Sequence, residues 1–197
     1  TWTKIGSDID GESAGDFSGN SVSLSSDGTI VAIGATGNAS ASGHVRVYEN
    51  VSGNWTQLGG DIDGEANNDE SGSSVSLSSD GTIVAIGAKS NDGNGSTSGH
   101  VRVYQYNSGT TSWTQLGSDI DGESAGDESG TSVSLSSDGS FVAIGARFND
   151  GNGSNSGHVR VYQNVSGTWT KIGSDIDGEA AGDFSGNSVS LSSDGTI

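Results

Sequence analysis

Short stretches in which apolar and polar residues alternate are separated along this chain by runs of Gly, Ser, Asp and Asn. Val22 and Leu24 alternate with Ser21, Ser23 and Ser25, and Val45 and Val47 alternate with His44, Arg46 and Tyr48. A two-residue period puts successive side chains on opposite faces of a β-strand. Thr29 to Ala35 is a more continuous apolar run, the pattern of a strand buried on both faces, whereas the GHVRVY and Trp segments read as half polar. Ser25-Ser26-Asp27-Gly28 lies between the first two strands, and its Asp-Gly pair predicts a tight hairpin with positive φ at both central positions. No 3.6-residue stripe persists over a dozen residues, so no helix is predicted.

The alternating stretches recur. Trp2, Trp55, Trp113 and Trp169 stand in the same WT(K/Q)(I/L)G context at spacings of 53, 58 and 56. Each is followed by an acidic loop, then SGxSVSLSSDG(T/S)(I/F)VAIGA, a loop of variable length, and GHVRVY wherever the chain extends that far. Residues 1–53, 54–111 and 112–167 form three complete units, and 168–197 repeats the first part of a fourth. Length differences fall in the loops, so the strands are the repeated object. Four antiparallel strands per unit of this length predict an all-β fold of about 3.5 tandem β-propeller-type blades. Fewer than four blades do not close a ring, so completion by another copy or by further sequence is expected. Residues 1–30 and 168–197 differ only at Ser13 against Ala180, a higher-order repeat of three units. With no Met or signal-peptide pattern at Thr1, the sequence reads as a window of a longer repetitive protein.

Composition alone points elsewhere. Only 37 of 197 residues are Leu, Ile, Val or Phe, and the formal charge is -18, a combination typical of disorder. The 34 glycines restore an ordinary apolar-plus-Gly fraction, and the repeat decides in favour of a fold. A negative charge of this size disfavours nucleic acid and anionic lipid as partners and favours cations. No apolar run reaches the ~18 residues of a membrane helix, and without Cys there is neither a disulfide framework nor a thiolate site.

SGNSVSLSSDGTIVAIGA followed by GHVRVY resembles the FG-GAP repeat of integrin α-subunit propellers and their relatives, unit by unit over essentially the whole chain. The resemblance implies an adhesion propeller that binds a protein or glycan through loops on one face. Two departures qualify it. Ser18, Ser71, Ser129 and Ser185 replace the family's Phe, and the family's calcium loop is shortened to SSDG, so calcium at that position is not carried over.

The acids concentrate elsewhere. Four loops place them at relative positions 1, 3, 5 and 9: Asp8, Asp10, Glu12, Asp16; Asp61, Asp63, Glu65, Asp69; Asp119, Asp121, Glu123, Asp127; Asp175, Asp177, Glu179, Asp183. Alternating oxygen ligands around a glycine-relieved turn suit calcium, which takes six to eight oxygens. The glycine stands at position 4 rather than at the position 6 of an EF-hand, and a solvated loop with Asp turn caps is the competing reading. The NDGNGS insertions at Asn91 to Ser96 and Asn149 to Ser154 are read as turns.

His44, His100 and His158 occupy one repeated place before VRVY and are assigned to packing or turn bonding; Arg46, Arg102 and Arg160 are placed in solvent or beside acids. The tryptophans are assigned to interblade packing rather than to a sugar platform. Sequons at Asn38, Asn50, Asn54, Asn94, Asn152 and Asn164 fall in predicted loops and suggest an extracellular or cell-surface glycoprotein. The histidines and the loop acids recur equivalently from unit to unit, which argues against an enzyme. The leading expectation is a structural or adhesive segment of a surface or filament-forming array, partnered by other copies or by further repeats of the same chain. A ligand-binding propeller module is the alternative.

Overall fold

A computed structural model describes residues 1–196; Ile197, the last residue of the partial fourth unit, lies outside them. Three antiparallel sheets follow one another. The first holds β1 (Ser18–Leu24), β2 (Ile30–Ala35), β3 (His44–Val51), β4 (Asn54–Gln57) and β5 (Ile62–Asp63). The second holds β6 (Ser71–Leu77), β7 (Ile83–Ala88), β8 (His100–Asn107), β9 (Ser112–Gln115) and β10 (Ile120–Asp121). β11 (Ser132–Leu135), β12 (Phe141–Ala146), β13 (His158–Val165) and β14 (Thr168–Asp177) make the third. Each is a four-strand meander. β4 and β5 both pair with β3, as β9 and β10 pair with β8, so the fourth strand is interrupted in two blades; in the third it runs unbroken as β14 with a register shift. The blades are propeller-like and do not close a ring.

The blade in space is offset from the unit in sequence. The Trp strand opening residues 54–111 completes the sheet begun at Ser18, because β3 leads directly through a short turn into β4. The acidic loops at 61–69 and 119–127 thus lead from the last strand of one blade to the first strand of the next.

The hairpins differ from the predicted two-residue turn. Gly28 alone takes positive φ (71°), and Ser25 accepts from Gly28 N–H at 3.0 Å while its own N–H donates to Ile30 at 2.9 Å. Asp27 is the organiser. Its Oδ1 accepts from Ser25 Oγ, Thr29 N and Thr29 Oγ1 at 2.7–2.9 Å, an Asx-type network that a wider loop permits. Asn38–Ala41 coils with φ of 49°, 62° and 60° at Ala39, Ser40 and Ala41, so this turn is left-handed rather than an α-helix.

Two cores lie between blades rather than within them. Val75 and Leu77 of β6 pack with Ala32, Val45 and Val47 of the preceding blade; Leu135 packs with Ala85, Val101 and Val103 in the same way. The GHVRVY strand is more buried than its half-polar pattern implied, with His44 to Tyr48 buried in succession. Both faces of that segment are covered, one by the next blade and one by the acidic loops.

Candidate functional site

The blade junctions carry most of the chain's repeated chemistry. Ser21, Ser74 and Ser132 donate through Oγ to Gly72, Gly130 and Gly186 of the following blade at 2.7–2.8 Å. Ser23, Ser76 and Ser134 accept from the N–H groups of Leu77, Leu135 and Leu191 at 3.0 Å. The hairpin turns form a further ladder, Ser26 to Ser79, Ser79 to Ser137 and Ser137 to Ser193. The indole N–H groups of Trp55, Trp113 and Trp169 donate to Ile5, Leu58 and Leu116 in the preceding unit, as interblade packing predicts. This approach needs glycine: a Cβ on Gly34, Gly87 or Gly145 would stand about 2 Å from the carbonyl oxygen of Gly72, Gly130 or Gly186.

The acidic loops are built differently from the calcium turn that their spacing suggested. Among the described residues, the four acids of one loop do not converge on a common point. The ninth-position acids close the turn. Asp69 Oδ2 accepts from Ala66 N and Asn91 Nδ2, both at 3.0 Å, and Asp127 Oδ2 accepts from Ser124 N and Asn149 Nδ2. Asp16 and Asp183 receive the backbone bond, from Ser13 and Ala180. Asp10 and Asp63 offer their backbone carbonyls to Arg46 and Arg102 at 2.8 Å. Asp121 and Asp177 are exposed residues, and partial burial of the Asp121 carboxyl, with the nearby Asp119 adding to it, raises its pKa above the ordinary range.

Positions 1 and 5 meet across units instead, around the histidines assigned to packing. His44 Nδ1 lies 3.9 Å from both Glu12 and Asp61; His100 Nδ1 lies 3.9 Å from Glu65 and 4.0 Å from Asp119. His158 Nδ1 lies 3.8 Å from Glu123 and 4.0 Å from Asp175. All three imidazoles are buried. Burial lowers the pKa of His100 and His158, with Arg102 adding to the effect at His100, so these rings are held neutral. Asp8 and Glu179 lie outside such groups, Asp8 pairing with Lys4 at 2.6 Å.

Arg46 and Arg102 are buried beside these groups rather than in solvent, within 3.8 Å of Glu12 and 3.4 Å of Glu65. Arg160 contacts Glu123 and also holds Asp175 with two bonds of 3.0–3.1 Å, and Lys171 contacts the same Asp175. Burial opposes ionisation of Asp175, but the bonds from Lys171 and Arg160 outweigh it and its pKa is lowered. One signal in the sequence pointed here: His and Arg recur two residues apart in every complete unit, in step with the acids.

The NDGNGS insertions are turns, with Asn91 Oδ1 accepting from Gly93 N at 2.7 Å and Asp92 Oδ1 from Thr97 N at 2.7 Å. The sequons are less uniform than loops would be. Asn50 and Asn164 lie in strands with buried Nδ2 atoms, and Asn94 and Asn152 spend Nδ2 on carbonyls of the following acidic loop. Asn38 reaches Glu12 at 3.4 Å, and Asn54 is exposed at the start of β4.

The FG-GAP repeat family model matches residues 62–104 and 119–162. No curated protein matches the chain in sequence. Among solved structures, a candidate 6-phosphogluconolactonase from Bacteroides fragilis superposes with a TM-score of 0.55 at 14% identity, over 81% of this chain and 40% of its own. Sqt1 of Saccharomyces cerevisiae gives 0.51 at 15%, over 81% and 36%. A periplasmic gluconolactonase of Pseudomonas aeruginosa gives 0.50 at 18%, over 81% and 39%. The chain thus spans about 40% of the length of such proteins. At this identity the likeness establishes fold alone, yet it corrects one expectation: lactonases are built on this blade arrangement, so the repeat pattern does not argue against an enzyme. The matched repeats, the GHVRVY strands and the four-strand sheets agree, and the chain is an FG-GAP-like repeat protein of β-propeller-like fold.

Proposed function

We propose that this chain is a structural or adhesive segment of an extracellular repeat protein, in which blades dock in series through one recurring interface. The observation that carries the reading is a difference between equivalent residues. Val75 and Leu77 are 8% and 7% exposed under the preceding blade, whereas Val22 and Leu24, at the same places in the first blade, are 63% and 59% exposed. Trp2 is fully exposed where Trp55, Trp113 and Trp169 dock on the preceding unit. The first blade therefore offers an apolar strip complementary to a blade of its own kind, supplied by further repeats or by another copy. An extracellular setting agrees with the exposed sequon at Asn54.

Sedimentation over a range of concentrations tests the docking. The chain is expected to associate end to end, and Leu24→Asp to remain monomeric. A chain that stays monomeric at every concentration, or a variant that associates equally well, would overturn the proposal.

A further inference from the structure

The paired carboxylates around each buried imidazole remain unexplained by blade docking. At 3.8–4.0 Å the Nδ1 to carboxylate distances are too long for hydrogen bonds. Two donors at about 2.0–2.2 Å from one tetrahedral ion stand ~3.4 Å apart, so a closing movement of about half an ångström would seat an ion between them. The three donor atoms of each group also lie within 4.8 Å of one another.

We propose that the junctions centred on His44 and His100 bind a first-row divalent metal ion of the Zn2+ kind. Glu12, His44 and Asp61 hold it in one, and Glu65, His100 and Asp119 in the other. One imidazole nitrogen with two carboxylate oxygens is a donor set for zinc, leaving a fourth position to water, whereas calcium takes oxygen ligands.

The second-layer contacts support the assignment. Asp61 and Asp119 each accept a 2.6 Å bond at Oδ1, from Gln57 and Gln115, while Oδ2 faces the imidazole. Glu12 and Glu65 likewise turn Oε1 toward Arg46 and Arg102 and Oε2 toward the ring, though Glu12 Oε2 also receives the long bond from Asn38. Outer partners of this kind orient ligands before an ion arrives. The arginine offsets one of the two carboxylates, which leaves a net negative charge beside the imidazole.

The third junction is different. Arg160 bonds to Asp175 and contacts Glu123, and Lys171 stands where the first two junctions have Gln57 and Gln115. Both negative charges are thereby neutralised, so this junction is closed to a cation.

Protein stripped with EDTA, loaded with ZnCl2 and desalted should retain two zinc ions per chain by elemental analysis. Glu12→Gln and Glu65→Gln, which keep side-chain size at half-exposed positions, should each remove one. Glu123→Gln should remove none, and His44→Asn and His100→Asn provide a second pair of variants for the imidazole. Calcium at equal concentration should leave the zinc in place. Absence of retained zinc, an unchanged stoichiometry in Glu12→Gln and Glu65→Gln, a loss in Glu123→Gln, or displacement by calcium would overturn the proposal.

Discussion

Single residues in this chain owe their importance to being copied. Asp27 sits on the surface, yet three donors converge on one of its oxygens, with Thr29 N–H the strongest influence, and hold its pKa down at about 2. Asp138 and Asp194 are lowered by the same Ser and Thr/Ser bonds, and at Asp80 those bonds outweigh an opposing effect of burial. A carboxylate whose folded pKa lies below its unfolded value stabilises the fold above the unfolded value, and that contribution disappears as the pH falls through the folded one. The hairpins should therefore be secure at neutral pH and weaken as the pH drops from about 4 toward 2. A carboxyl-carbon NMR titration checks this: Asp27 should show a midpoint near 2, and an ordinary aspartate midpoint near 4 would contradict the bonding seen here.

At the scale of the element, the strand VAIGA carries a constraint that apolar pattern alone does not express. Gly87 lies in β7 without positive φ, so flexibility is not its purpose; its missing side chain admits the Gly130 carbonyl and the Ser74 hydroxyl. Gly87→Ala would drive a Cβ to 2.1 Å from that carbonyl oxygen, a clash with backbone that cannot rotate away. The expected cost is about 1–3 kcal/mol in a denaturant titration, with little change for Gly60→Ala, an exposed place where the added Cβ meets nothing within 4 Å and φ is not positive. Repeated serines belong to the same design. Their short hydroxyls reach the neighbouring blade, and a larger residue would hold the sheets apart.

For the whole molecule, the decisive feature is that the core lies between blades. Leu77→Ala removes side-chain volume from a filled interblade core and should cost about 2–5 kcal/mol, while Leu24→Ala, at the equivalent exposed place, should change stability by less than about 0.5 kcal/mol. Equal costs in thermal or denaturant unfolding would contradict the junction described here. Stability of this kind accumulates by neighbour contacts, as in other repeat architectures, so added units should raise it.

Much of this was legible in the amino-acid sequence. The two-residue alternation identified the strands because a pleated strand has that period regardless of its surroundings, and the four Trp contexts fixed the number of units. The turn residues marked the hairpins, although the wider loop depended on where Asp27 found donors. Tertiary structure alone decided the rest. Acids spaced at 1, 3, 5 and 9 looked like one ligand set because sequence distance was the only distance in view. Folding sends position 9 to cap its own turn and brings position 5 of one loop to position 1 of the next, some fifty residues away, around a histidine from between them. That convergence follows from the offset between unit and blade: the loops at 61–69 and 119–127 each bridge two sheets, so their two ends serve different junctions.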